Sequence, residues 1–282
     1  MARAVRCCRQ LLGFVIASAV MDVVEVSGIQ ITALRVPAVV RNGSGLPAIL
    51  DCEYSLKPDE PGLVVKWFFG SGPFPVYQWI PGQRPQELGI LKGRLNLNHK
   101  ASDNHVTKHR ALYIVNPTTD LTGEYKCLVS TFSDEDFMTK KMVVFAQGRG
   151  LELRHSKPDP DSVNVSCRAQ GVYPEPKIAL YKDRDRSTMT NLDGVVVESV
   201  SRGGSYDITA YKVLRDEDLQ SPTLFDCELR IPDANYRVSK TVVYRTGDFN
   251  FFSENGSARH LSRHLVLLSA AAIAALTTWP RC

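Results

Sequence analysis

Two cysteines 75 residues apart, Cys52 and Cys127, constrain this chain more than any other feature, because Trp67 follows the first by 15 residues and Tyr125 precedes the second by two. Each of these residues lies in a short run that alternates apolar and polar. Leu50, Cys52 and Tyr54 share one face of the run 48–54. Val65, Trp67 and Phe69 share one face of 64–69, and Tyr125, Cys127 and Val129 one face of 124–130. Alternation over a handful of residues is the period of a strand with one buried face. A further run, Thr139 to Phe145, closes the set. No long stretch carries apolar residues at helical spacing, and Gly, Pro, Asn and Asp punctuate the runs. The predicted class is all-β.

The second half repeats the plan with fewer markers. Residues 163–169 alternate, and the turn Gly171-Val-Tyr-Pro-Glu-Pro176 follows. Cys167 and Cys227 are 60 residues apart, Tyr181 stands 14 past Cys167, and Phe225 stands two before Cys227. Gln147-Gly-Arg-Gly150 separates the halves and reads as a hinge.

These residues resemble the immunoglobulin superfamily. In that fold the two cysteines bridge two sheets, the tryptophan packs on the sulfurs, and the tyrosine hydroxyl bonds back to the corner of the chain. The resemblance implies two tandem immunoglobulin-like β-sandwiches, with disulfides Cys52–Cys127 and Cys167–Cys227. It implies a variable-type domain over 29–147, with Phe74 to Ile80 as its extra C′ strand. It also implies a degenerate constant-type domain over 151–246, with Tyr181 at the tryptophan position and the corner hydroxyl missing at Phe225. One departure is Leu121, six before Cys127, where the family often has Asp. Asp120 is shifted by one, which puts the Asp–Arg pair of variable-type domains in question.

The ends read as processing signals. Residues 1–19 combine a basic start, a short apolar run and small residues, the pattern of a secretory signal peptide. Residues 247–264 form a stalk whose small residues Asn255, Gly256 and Ser257 suit attachment of a GPI lipid anchor. The apolar tail 265–282 is then removed. The apolar run in that tail is short for a spanning helix. Residues 1–19 and those after Gly256 carry six arginines and no acids, so their loss takes the net charge from +4 to −2 and leaves no basic case for nucleic acid. The same cuts remove Cys7, Cys8 and Cys282 from the seven cysteines and leave an even four, as an oxidising compartment favours. Sequons at Asn42 and Asn164 are candidate glycosylation sites.

Signal, variable-type, constant-type, stalk and anchor is an order similar to the insect beaten-path family of axon-guidance proteins. It is also similar, less closely, to the vertebrate co-stimulatory ligand and nectin-like group. The tail makes this a GPI-anchored protein on the extracellular face of the plasma membrane, with a single-pass or secreted form as the alternative. The beaten-path resemblance implies a partner that is another cell-surface immunoglobulin protein, sidestep-like, met in axon guidance or neuronal cell recognition. A secreted, immune-type soluble binder is the alternative. If Trp67 points inward, Lys66 and Phe68 point outward, and Leu128 points outward beside Cys127. On C′, either Tyr77 and Trp79 or Val76, Gln78 and Ile80 face outward, and with Tyr77 and Trp79 these residues are the expected partner-binding face. His99, His105 and His109 lack metal-ligand spacing and read as a solvated loop. No nucleophile elbow, phosphate loop or nucleotide fingerprint is present, so neither catalysis nor a cofactor is expected.

Overall fold

The computed structural model describes residues 28–58, 60–183 and 192–246. The signal segment, the stalk with Asn255, Gly256 and Ser257, and the apolar tail lie outside the described residues.

The first sandwich contains β1 (Gln30–Arg35), β2 (Val39–Arg41), β3 (Ala48–Ser55), β4 (Val64–Phe69), β5 (Tyr77–Trp79), β6 (Gln86–Glu87), β7 (Leu112–Ile114), β8 (Gly123–Ser130) and β9 (Glu135–Gln147). One sheet runs β1-β3-β7 and the other β9-β8-β4-β5-β6, with β2 pairing parallel to β9. Inward residues alternate as expected: Leu50, Cys52, Val65, Trp67, Tyr125, Cys127 and Val129 are buried. The Cys52–Cys127 disulfide bridges the sheets. Trp67 lies in register with Cys127, and its indole N–H donates to the Arg110 carbonyl at 3.1 Å. The Tyr125 hydroxyl donates to the Leu121 carbonyl at 2.8 Å, and burial pushes that hydroxyl's pKa up.

The Asp–Arg pair is present despite the shifted aspartate. Arg94 meets Asp120 at 2.8 Å and Thr118 Oγ1 at 3.1 Å. A 3-10 turn at Thr119–Leu121 absorbs the offset, turning Leu121 into the core and Asp120 out to Arg94.

The second sandwich follows with β10 (Leu151–Asp159), β11 (Ser162–Tyr173), β12 (Lys177–Lys182), β13 (Val196–Arg202), β14 (Ser205–Arg215), β15 (Thr223–Ile231) and β16 (Tyr236–Tyr244). Its sheets are β13-β14-β11-β10 and β12-β15-β16, bridged by Cys167–Cys227. This four-plus-three division is the constant-type arrangement. Tyr181 does not occupy the tryptophan position. Leu180 is the residue in register with Cys227 and points into the core, while Tyr181 pairs with Asp226 and faces the other way.

The hydroxyl absent at Phe225 comes from a neighbouring strand. Tyr244 of β16 packs its ring 6.4 Å from that of Phe225 and donates to Asp216 Oδ1 at 2.7 Å. Asp216 opens the turn before β15, so this bond ties the same corner that Tyr125 ties in the first sandwich. Partial burial raises the Asp216 pKa, but hydrogen bonds from Lys157 and Tyr244 outweigh it and hold the carboxyl below its ordinary range. A depressed acid pKa stabilises the fold above the unfolded value and loses that contribution as pH falls through the folded one. Tyr244→Phe is therefore expected to cost about 1 kcal/mol at neutral pH. Denaturant melts of variant and parent should converge as pH falls through the depressed pKa of the folded carboxyl, where it is protonated in both states.

The junction is not an open hinge. Strand β9 runs on to Gln147, pairing Gln147 with Val172 and Ala146 with Tyr173 of β11. Phe145 joins the second core and lies 5.4 Å from the Tyr236 ring. Gly148, at φ +70°, lets the chain pass so close that a Cβ there would sit 2.0 Å from the Gln170 carbonyl oxygen. Short backbone pairing supplies the closure that Gly-Arg-Gly alone does not suggest.

Candidate functional site

The outer face of β4, β8 and β9 gathers apolar residues that the first core does not use. Register sets their neighbours. Lys66 lies between Gln78 and Leu128, Phe68 lies opposite Lys126, and Leu128 lies opposite Phe137. Phe137 is 59% exposed. The Lys126 ammonium stands 4.5 Å from the centre of the Phe68 ring and 5.7 Å from that of Phe137. A cation held over ring faces is attracted to their negative quadrupole and orders both rings. The result is an apolar patch with two lysine charges set into it. Lys66, Phe68 and Leu128 all lie on this face.

Tyr77 and Trp79 do not. They are 3% and 2% exposed and pack in the first core, and Gln78 is the residue of β5 on the outer side. Both ring-bearing residues point inward because β5 pairs Tyr77 with Trp67 and Trp79 with Val65, the inward residues of β4. The Tyr77 hydroxyl donates to the His109 carbonyl at 2.6 Å, which meets its hydrogen-bonding need inside the fold.

Phe137 has no counterpart in the sequence reading, since the predicted last strand begins at Thr139. Strand β9 starts at Glu135, and the stretch 135–138 mixes acidic and apolar residues without alternation. Hairpin register from β8 is the signal that finds it.

One end of this face is extended by the loop 131–134, where Phe132 is 85% exposed. Its ring rests over Gly62, which has φ +80°, and a Cβ on Gly62 would lie 2.5 Å from a ring carbon. The Thr131 amide donates to the Asp134 carbonyl at 2.8 Å and closes the loop.

Two of the three histidines have packing roles, and His105 is exposed. His109 lies edge-on to Trp79 at 5.6 Å and His99 lies 5.0 Å from the Tyr113 ring. Asn42 sits in the turn after β2, half-buried, and Asn164 lies on β11.

No family model matches the sequence. The fold aligns with bovine butyrophilin at a TM-score of 0.59 and 19% identity, over 77% of this chain and 98% of that one. The extracellular portion of mouse CD200RLa aligns at a TM-score of 0.49 and 15% identity, over 73% of this chain and 96% of that one. The full ectodomain of mouse nectin-like molecule 4 aligns at 0.49 and 13% identity, over 73% of this chain and 65% of that one. The butyrophilin alignment and the two disulfides establish an all-β chain of two tandem immunoglobulin-like sandwiches. At this identity the likeness is one of fold, and fold leaves function to the site.

Proposed function

We propose that this chain is an extracellular recognition protein that binds another cell-surface protein through the outer sheet face of its first sandwich. The observation that carries the reading is the patch of Phe68, Leu128 and Phe137 with Lys126 set between the rings. Interface cores are enriched in aromatic residues ringed by polar ones, and a patch of this kind is unusual on a surface that meets only water. The alternating apolar pattern that builds the core does not need these residues.

The order of segments supports a GPI-anchored protein at the cell surface, resembling the beaten-path family, with an immunoglobulin-superfamily partner of the sidestep kind and a role in axon guidance or neuronal recognition. Two disulfides suit an oxidising compartment. Binding rather than catalysis is the activity proposed, and the second sandwich serves as a spacer.

A screen of the secreted ectodomain against a panel of cell-surface ectodomains tests the reading. Lys126→Glu is expected to weaken the partner's signal at least about tenfold by reversing the charge between the two rings. Lys240→Glu, on an exposed position of β16, is expected to leave it unchanged. Equal binding by both variants would remove this face from the interface. Loss of surface staining after phosphatidylinositol-specific phospholipase C is the expected result for the tether. Retention on the cell would exclude a lipid anchor.

A further inference from the structure

The outer face of the second sandwich's four-stranded sheet carries a second set of exposed apolar residues. On β11, Val163, Val165 and Cys167 are buried, so Asn164, Ser166 and Arg168 face outward. On β14, Ile208 and Ala210 are buried, so Tyr211 and Val213 face outward. The edge strand β13 adds Val196, in register with Tyr211. Val213 is 51% exposed and Val196 46%. Among the described residues this edge is also unpaired, and every residue of β13 is exposed. An exposed edge strand beside an apolar face is a template for association with another chain.

Asn164 lies in the middle of this face. It is in register with Val213 on one side and Ser156 on the other. It opens the sequon Asn164-Val-Ser166, whose serine faces the same side. Its Oδ1 is buried and accepts no hydrogen bond. With the oxygen turned in, the planar amide directs its nitrogen outward, and the nitrogen is the atom that oligosaccharide transfer modifies.

We propose that Asn164 carries an N-linked oligosaccharide whose first sugars lie over Val213, Tyr211 and Val196 and shield this face from association. The proposal rests on the extracellular reading above, since the modification belongs to the secretory route. In the transfer, Asn164 Nδ2 forms a bond to the anomeric carbon of the first sugar. The bond from that carbon to the diphosphate of a lipid-linked oligosaccharide donor breaks. One amide proton leaves, the lipid diphosphate departs, and nothing is oxidised. The bound sugar then places its apolar C–H faces against the valines and the Tyr211 ring while its hydroxyls meet water. Val213 is the directly paired cross-strand neighbour of Asn164, close enough for side-chain contact. The glycan also adds bulk beside the open edge, where charge on Glu198 and Arg202 is the only other guard in β13.

The test uses the full chain expressed in cells with an intact secretory pathway. Glycopeptide mass spectrometry is expected to find Asn164 occupied. Asn164→Gln is expected to raise binding of an apolar fluorescent dye about threefold or more and to produce concentration-dependent self-association in sedimentation. Adding Val196→Thr and Val213→Thr to that variant should return both readouts to the parent's values. Enzymatic removal of the whole glycan from the folded parent, which leaves Asp at 164, gives the same comparison should Asn164→Gln fold poorly. An unmodified Asn164 beside a modified Asn42 would overturn the inference and leave the extracellular reading standing. So would an occupied Asn164 whose loss changes neither dye binding nor self-association. A secreted-route preparation with no glycan on any asparagine and reduced cysteines would overturn both.

Discussion

Phe68→Asp is expected to leave the first sandwich folded and to abolish capture of the partner. Phe68 lies on the outer side of β4, so its replacement leaves no cavity among Val65, Trp67 and the disulfide. A carboxylate there meets Lys126, which already stands over the ring, and so gains a partner of opposite charge. The fold therefore loses little. The interface loses an apolar contact, gains a charge to desolvate, and loses the ring that orders Lys126. Central aromatic residues of this kind contribute roughly 2–4 kcal/mol, which corresponds to a loss of about 30- to 1,000-fold in affinity. The measurement is binding of soluble variant to partner-expressing cells, alongside a thermal melt. Unchanged melting with affinity within about threefold of the parent would exclude Phe68 from the interface.

Trp67→Ala should have the opposite profile, a large loss of stability. The side chain is fully buried against the first disulfide. Removing it opens a cavity that costs about 3–5 kcal/mol. It also leaves the Arg110 carbonyl without its indole donor, for about 1 kcal/mol more. For a domain of this size that lowers the midpoint by roughly 10–20 °C. Calorimetry of the ectodomain is the check. A midpoint within a few degrees of the parent would mean that the core around the first disulfide repacks.

What was legible follows from how many physical requirements converge on a residue. Cys52, Trp67, Tyr125 and Cys127 each have one role in a two-sheet core, and their offsets along alternating strands leave a single arrangement. Tyr77 and Trp79 were not so constrained. Val76, Tyr77, Trp79 and Ile80 place apolar side chains on both parities of the short β5 and its flanks, so alternation alone cannot say which faces the core. Pairing with β4 decides it. Tyr181 was misplaced for the same reason: Ile178, Ala179, Leu180 and Tyr181 are apolar on both faces of β12, and only the register with Cys227 selects Leu180. The Arg94–Asp120 pair escaped a count along the chain because a 3-10 turn shifts phase by a residue where a strand would not. Tyr244 lies far from Phe225 in sequence, and no local pattern links a hydroxyl on one strand to a vacancy on the next. The outward Lys66, Phe68 and Leu128 were legible because they are the complement of inward residues already identified.

The sharing of Phe145 has a consequence for modularity. Its backbone belongs to β9 of the first sandwich, and its ring fills the core of the second. A cut between 147 and 151, where composition alone would place a border, leaves that ring on the wrong fragment. The downstream piece would begin with a void beside Tyr236, and the upstream piece would end in an exposed aromatic. The two sandwiches are thus two cores without two separable modules. Their natural unit of transplantation, expression or exchange is the pair.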